Sequence, residues 1–464
     1  MLKIIFLFLM ASGLPVAIAM AGSSLLYILI SGDLPPFAVI HRMIGGIDSF
    51  PLLAVPFFIL AGNLMNNAGI TNRIYNFALA LVGWLKGGLG HVNVIGSVIF
   101  AGMSGTAIAD AAGLGTIEIK AMRDHGYELE FAVGVTAASA TLGPIIPPSL
   151  PFVIYAMMAN VSVGALFLAG ILPGILMALL MMLTVAYFAH KNGWGGDVKF
   201  VGSRFAKAIV ELVVVGVTPV ALYTIVQAGA QPQLTVLIGT VLLFAADRFF
   251  RFEAVLPIMT PVLLIGGMTT GLFTPTEGAI AACVWAMVLG LAWYRTLSWR
   301  RFVKVCLDTV ETTSTVMFIV AAASIFGWML TATGVTAQIA AWVLGFTKEA
   351  WVFLLLANLL MLFVGCFLEP TAAITILVPL LLPIATQLGV DPVHFGLVMV
   401  LNLMIGLLHP PMGMVLFVLA RVAKLSVERT TMAILPWLFP LLASLVILTY
   451  VPQIVLWLPR TMGM

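Results

Sequence analysis

The chain has 464 residues, 62% of them hydrophobic and 8% charged, with a formal net charge of +3 and a mean hydropathy of +1.17. Soluble domains carry charge on about a quarter of their residues, so a water-soluble enzyme is excluded, and so small a net charge gives nucleic acid no foothold. Uncharged windows such as 222–246 and 350–368 suit bilayer-spanning helices, and the short alternating segments of a membrane barrel are missing.

In chain order, MLKIIFLFLMASGLP continues through Ile30 in apolar residues, which predicts a retained membrane helix rather than a cleaved leader. PFAVIHRMIGGI (36–47) is short and amphipathic, an expected interfacial helix. Residues 92–103 and 111–119 are arms too short for two full crossings. They predict a re-entrant hairpin with its tip at Ser104, Gly105 and Thr106. TLGPIIPPSLP (141–151) then sets four prolines in a strongly apolar region. Proline removes one helical donor and strands the carbonyl four residues earlier. Pro147 thus frees the Gly143 carbonyl and Pro148 that of Pro144.

Past a basic loop at 190–207, two spans are expected at 205–227 and 232–247. Thr274-Pro275-Thr276-Glu277 reads as a helix start, with Glu277 a capping residue. TLSWRRFVKV (296–305) reads as a second interfacial helix. Residues 351–367 and 373–385 make a second hairpin with its tip at Glu369, Pro370 and Thr371. GLLHPPM (406–412) repeats the proline break: Pro410 frees the Gly406 carbonyl and Pro411 that of Leu407. Cys283, Cys306 and Cys366 are scattered packing residues, with no disulfide or metal spacing.

The two halves are related. LAGNLMNNAGITNRI (60–74) resembles IFGWMLTATGVTAQI (325–339), and SGTA (104–107) faces EPTA (369–372), both at a spacing of 265. GPIIPPS (143–149) matches GLLHPPM at 263. This divides the chain into a first repeat (1–190), a linker with two extra helices (191–256) and a second repeat (257–464). The basic loops carrying Lys120 and Arg123, Lys191 to Lys207, Arg295 to Lys304 and Arg421 to Arg429 belong in the cytoplasm by the positive-inside rule. That makes the halves antiparallel, with Lys348 an exception. Inverted repeats with broken helices at mid-membrane mark secondary transporters. The expected fold is all-α and polytopic, an inverted-repeat transporter with two re-entrant hairpins and two broken helices.

In hydrocarbon an unmet backbone group costs several kcal/mol, so such breaks persist only where protein, water or an ion satisfies them. Hydroxyls of Ser104, Thr106 and Thr371 together with the freed carbonyls suit Na⁺, and twin proline kinks satisfied by neighbouring helices are the alternative. Asp110, Glu277 and Glu369 lie in apolar surroundings, where carboxylates are candidates for function. Asp110 reads as stabilising its hairpin. Glu369 is open between touching ion or substrate and bonding to backbone. His409 is open between contacting substrate and filling the gap.

SGTAIAD, GPIIPPS and GLFTPTEGA, in that order, resemble the large membrane subunit of tripartite ATP-independent periplasmic (TRAP) transporters, over nearly the whole chain except about 205–250. The resemblance implies an elevator-type transporter of the bacterial or archaeal inner membrane. It implies two partners on separate chains: a periplasmic substrate-binding protein that delivers an organic acid, and a small four-helix membrane subunit. It implies a first Na⁺ site near Ser104, Thr106, Gly143 and Pro147 and a second near Thr371, Gly406 and Pro410. Substrate would lie between the tips, within reach of Ser104, Thr106, Glu369, Thr371 and His409. No organic cofactor and no metal other than Na⁺ is expected. The leading function is Na⁺-coupled uptake of a small carboxylate. The rivals are a self-sufficient Na⁺-coupled carboxylate or anion transporter and a membrane subunit of an energy-converting complex. Against the latter, no lysine lies mid-span.

Overall fold

The computed structural model describes residues 1–32, 34–227, 231–269, 273–409 and 413–464, and the secondary structure among them is helical apart from one isolated bridge between Lys86 and Gly196. The chain starts with α1 (Leu2–Ala11), α2 (Val16–Ser31) and α3 (Phe37–Ile47). The expected single amino-terminal helix is thus two, because Pro15 cannot continue a helix and caps the second. Next come α4 (Ala54–Asn67) and α5 (Ile70–Val82).

The first predicted hairpin is α6 (Gly88–Ser104), α7 (Ala107–Ala112) and α8 (Leu114–Asp124). Its return arm is divided at Gly113, which the sequence reading did not anticipate. α9 (Leu129–Ala140) and α10 (Leu150–Ala159) flank the first proline segment, and α11 (Val163–Lys191) follows. The insert is α12 (Gly202–Gln227) and α13 (Pro232–Phe250), close to the expected spans. α14 (Val255–Thr269) and α15 (Pro275–Met287) come next, the latter extended by a π turn, Val288–Trp293.

α16 (Trp299–Ala332) absorbs the segment expected as a second interfacial helix. Ser298 caps its start, and its 34 residues run on without a break. α17 (Val335–Phe346), α18 (Ala350–Gly365) and α19 (Pro370–Gln387) carry the second hairpin region. α20 (Pro392–Gly406) and α21 (Met414–Ala423) flank the second break, and α22 (Val427–Tyr450) and α23 (Pro452–Thr461) close the chain.

Six helices among the described residues are long and apolar enough to cross a membrane: α11, α12 over Gly202–Leu222, α15 with its extension, α16, α19 and α22. At about 1.5 Å per residue, α9 and α10 span only about 18 and 15 Å, each roughly half of a hydrocarbon core of about 30 Å. Matched positions repeat their geometry. Gly69 and Gly334 both have left-handed backbone, φ 71° and 69°, and each starts the helix that follows. That conformation suits a residue without Cβ.

The main apolar core draws on both sides of the insert, from Leu52 to Val185 and from Leu264 to Leu456. Of four smaller clusters outside it among the described residues, two are sizeable. One joins α4 and α5 to α12–α15 around Leu64, Ile70, Leu256 and Trp285. The other joins α1–α3 to α16 around Met20, Ile28 and Phe326.

Candidate functional site

The first tip is built by local sequence. α6 ends at Gly105, whose φ of 63° turns the chain. Thr106 then caps α7, its hydroxyl accepting from the Ala109 N–H at 3.3 Å. The tip is wedged against the first break. A Cβ on Gly105 would meet the Pro148 carbonyl oxygen at 2.6 Å, and one on Gly143 would meet the Thr106 oxygen at 3.0 Å. Of the residues predicted for the first site, Gly105 thus lies against Pro148 of the break and Thr106 against Gly143. Ser104 is 7% exposed, and its hydroxyl has no hydrogen-bond partner.

The stranded carbonyls fare differently from one another. That of Pro144 accepts from the Ser149 hydroxyl, so it is not left for an ion alone. Among the described residues no backbone N–H is directed at the Gly143 carbonyl. That leaves one buried hydroxyl at the tip and one carbonyl at the break without a hydrogen-bond partner among the described residues.

The second tip closes on itself. Glu369 caps α19, accepting from the Ala372 N–H at 3.2 Å and from the Thr371 hydroxyl at 2.8 Å. Of the two readings of Glu369, the bond to backbone is present. Gly406 sits against the arm of this hairpin: a Cβ there would lie 2.6 Å from Gly365 backbone. The Gly406 carbonyl accepts from the His409 N–H at 3.0 Å, so it too is not wholly stranded. His409 is exposed at the break. Pro410 and Pro411 lie outside the described residues, so that part of the second predicted site has no geometry here.

The two halves cross over. The helix before each break, α9 or α20, packs on the hairpin of its own half. The helix after each break packs on the return arm of the other half, α10 on α19 and α21 on α7. The return arm of each half thus packs on a helix of the other half.

Sequence reasoning missed a matched pair of buried polar bridges beneath the tips. In the first half Ser139 of α9 donates to Asn93 of α6 at 2.7 Å, and Asn93 donates to Thr136 at 2.8 Å. In the second, Asn402 of α20 donates to Asn358 of α18 at 2.8 Å, and Asn358 to Thr449 at 3.0 Å. Asn93 and Asn358 are 265 apart and Ser139 and Asn402 263 apart, the same two spacings that relate tips and breaks. Polar residues in register across the repeat were the available signal.

The other candidates separate cleanly. Glu277 is exposed and forms a capping box with Thr274, as expected. Asp110 is 2% exposed in the first turn of α7, with Oδ2 unpartnered. Glu118, overlooked in the sequence, is equally buried on α8, with both carboxylate oxygens unpartnered. It shares an apolar face with Leu114 and Met122 at helical spacing, and that spacing was the legible sign. Gly96 leaves room for it: a Cβ there would lie 2.8 Å from Oε1.

Fold and site together define a multi-pass membrane protein of transporter architecture. The Alcanivorax borkumensis YdaH transporter superposes with a TM-score of 0.59 at 16% identity, covering 89% of this chain and 86% of that one. Neisseria gonorrhoeae MtrF, of a class of antimetabolite efflux pumps, gives 0.58 at 13% identity over 89% and 83%. At such identities the likeness concerns the fold.

Residues 3–454 match the family of the tripartite ATP-independent periplasmic transporter DctM component, and the chain belongs to that family: it is a TRAP transporter large permease rather than an enzyme. It is 41% identical to the sialic acid TRAP transporter large permease SiaM of Vibrio cholerae over 97% of this chain and 96% of that protein. It is 32% identical to the C4-dicarboxylate TRAP transporter large permease DctM of Rhodobacter capsulatus over 98% and 97%. The sialic acid permease SiaT of Haemophilus influenzae is 37% identical over 98% of this chain and 67% of that protein.

Proposed function

We propose that this permease is the translocating subunit of a Na⁺-coupled secondary transporter that imports a small organic acid across the bacterial inner membrane. A periplasmic binding protein delivers the acid, and a small four-helix subunit completes the membrane complex. The carboxylate class follows the substrates named for the relatives, sialic acid and C4-dicarboxylates.

The observation that carries the reading is the buried, unpartnered Ser104 hydroxyl beside a helix break whose Gly143 carbonyl takes no backbone N–H. Ser104, Gly105, Thr106, Gly143 and Pro147 surround one Na⁺, and Thr371, Gly406 and Pro410 a second. Substrate lies between the tips and is held largely by Na⁺ and by N–H groups at helix starts. In this reading the two tips are re-entrant. The inverted repeats 1–190 and 257–464 meet in a transport unit built on the main core, while the two smaller cores and the 191–256 insert serve as scaffold. Supporting this division, α16 packs on α2, α3 and α4 and also on α19, which gives the unit a long surface to move along.

The test is uptake of radiolabelled sialic acid and C4-dicarboxylates into proteoliposomes, with and without an imposed Na⁺ gradient and each partner. Uptake that needs Na⁺ and both partners is expected. Uptake by this chain alone would favour a self-sufficient transporter, and uptake indifferent to Na⁺ would sink the cation reading.

A further inference from the structure

The insert ends at a feature that the transport reading does not use. A cavity of about 830 Å³ opens where the end of α13 meets the start of α5 and the turn after the π segment. Arg73, Arg248, Arg251 and Arg295 line it, against two carboxylates, Asp247 and Glu253. None of the four guanidinium groups forms an ion pair among the described residues. Asp247 is engaged at one oxygen, its Oδ2 accepting from the Trp293 indole N–H at 2.8 Å, while Oδ1 is buried without a partner. The Tyr294 hydroxyl is buried without a partner. The Arg73 guanidinium lies over the Tyr294 ring, 4.0 Å from its centroid.

The walls are fixed before any ligand arrives. Lys207 donates to the Arg251 carbonyl at 2.6 Å. The Glu211 carboxylate accepts from the N–H groups of Glu253 and Ala254 at 3.1 and 2.9 Å. On the opposite wall, Thr296 donates to the Ala68 carbonyl at 2.6 Å, holding the turn to the start of α5. Arg251 and Arg295 both adopt left-handed backbone, φ 52° and 53°, a conformation that costs a side-chain-bearing residue and points to a constrained role.

The surroundings indicate a lipid. Leu242 and Phe249 of α13, 62% and 81% exposed, lie on one apolar stripe with Ile238, and the stripe ends beside Arg248. These basic turns belong on the cytoplasmic side by the distribution of Lys and Arg. There, basic pockets between helices take anionic headgroups. Guanidinium groups grip phosphate oxygens in a bidentate fork, and a free tyrosine hydroxyl adds a donor.

We propose that this cavity binds the phosphate of an anionic phospholipid, with the acyl chains lying along the exposed stripe of α13. The lipid ties the insert to the π turn and so braces the smaller core around Trp285.

The test uses the full-length chain in neutral detergent. Native mass spectrometry counts retained dioleoyl phosphatidylglycerol against dioleoyl phosphatidylcholine, and a separate arm offers inorganic phosphate alone. Phosphatidylglycerol is expected to be retained selectively. Arg248→Gln/Arg251→Gln/Arg295→Gln is expected to weaken it at least tenfold with the lipid-free melting temperature unchanged, since all three side chains are exposed and unpaired. Glu253→Gln, which removes an opposing charge, is expected to tighten retention severalfold, a gain that misfolding cannot produce. Undiminished binding by the triple variant, or no gain with Glu253→Gln, would overturn the proposal. Binding of inorganic phosphate that matches the lipid and displaces it would overturn the lipid assignment in favour of a free anion.

Discussion

The two hairpin tips occupy matched places in the repeat, yet they use their hydroxyls differently. At the first, the Ser104 hydroxyl is buried and unpartnered, and the backbone of the facing break presses on the tip. At the second, the Thr371 hydroxyl is bonded to Glu369, which also caps its own helix. The two halves share the polar bridges at matched spacings, while the chemistry at their tips differs. The Thr371 hydroxyl at the second tip uses its proton on Glu369 and keeps its oxygen lone pairs.

The comparison can be broken most sharply at the break glycines. Gly406→Ala drives a Cβ to 2.6 Å from Gly365 backbone, with no flexible side chain to yield, whereas Gly143→Ala meets its carbonyl neighbour at 3.0 Å. Overpacking of the first kind costs about 1–3 kcal/mol, and the second is expected below about 1 kcal/mol. Melting temperatures of the two variants in detergent would rank them. Equal losses would mean that the breaks are not packed differently.

The polar bridges come next. Asn358→Leu leaves Asn402 and Thr449 without their buried partner, a loss of about 1–3 kcal/mol. The Asn358→Leu/Asn402→Leu pair should cost less than the sum of its singles in a double-mutant cycle. Asn93→Leu should behave alike, because Ser139 and Thr136 lose the same kind of bond. A fully additive cycle would remove the bridge from the account.

At the tips themselves, Thr371→Ala should lower stability by about 0.5–1.5 kcal/mol through its lost bond to Glu369. Ser104→Ala, which loses no protein bond, should leave the melting temperature unchanged. The smallest measurable loss is expected at the Arg429–Glu130 ion pair, which joins α22 to α9 at an exposed surface. Arg429→Ala should cost a few tenths of a kcal/mol, and high salt should erase the difference. A large, salt-insensitive loss would mark the pair as a strut between the repeats.

Most of the frame is legible in the sequence because its causes are local. Proline positions mark the first break, Gly105 and Thr106 fix the first turn, and Thr274 with Glu277 announces a helix start. What escaped needs the third dimension. Ser149 captures the carbonyl that Pro148 strands, across only five residues, a side-chain choice that composition does not dictate. Glu118 is overlooked because α8 looks like a solvated end, although its 114–118–122 spacing marks the face that the fold buries. The segment 296–305 reads as amphipathic by itself, yet Ser298 starts a helix that continues to Ala332. Asn93 and Asn358 pair with partners 46 and 44 residues away, and only the repeat spacing would have linked them.

The most direct test is equilibrium binding of ²²Na⁺ to the purified chain, compared with Ser104→Ala and with potassium as competitor. The account predicts saturable Na⁺ binding that potassium does not displace. It predicts that Ser104→Ala weakens the first site about tenfold, or about 1.4 kcal/mol, at an unchanged melting temperature. Identical ²²Na⁺ binding by wild type and variant would contradict it.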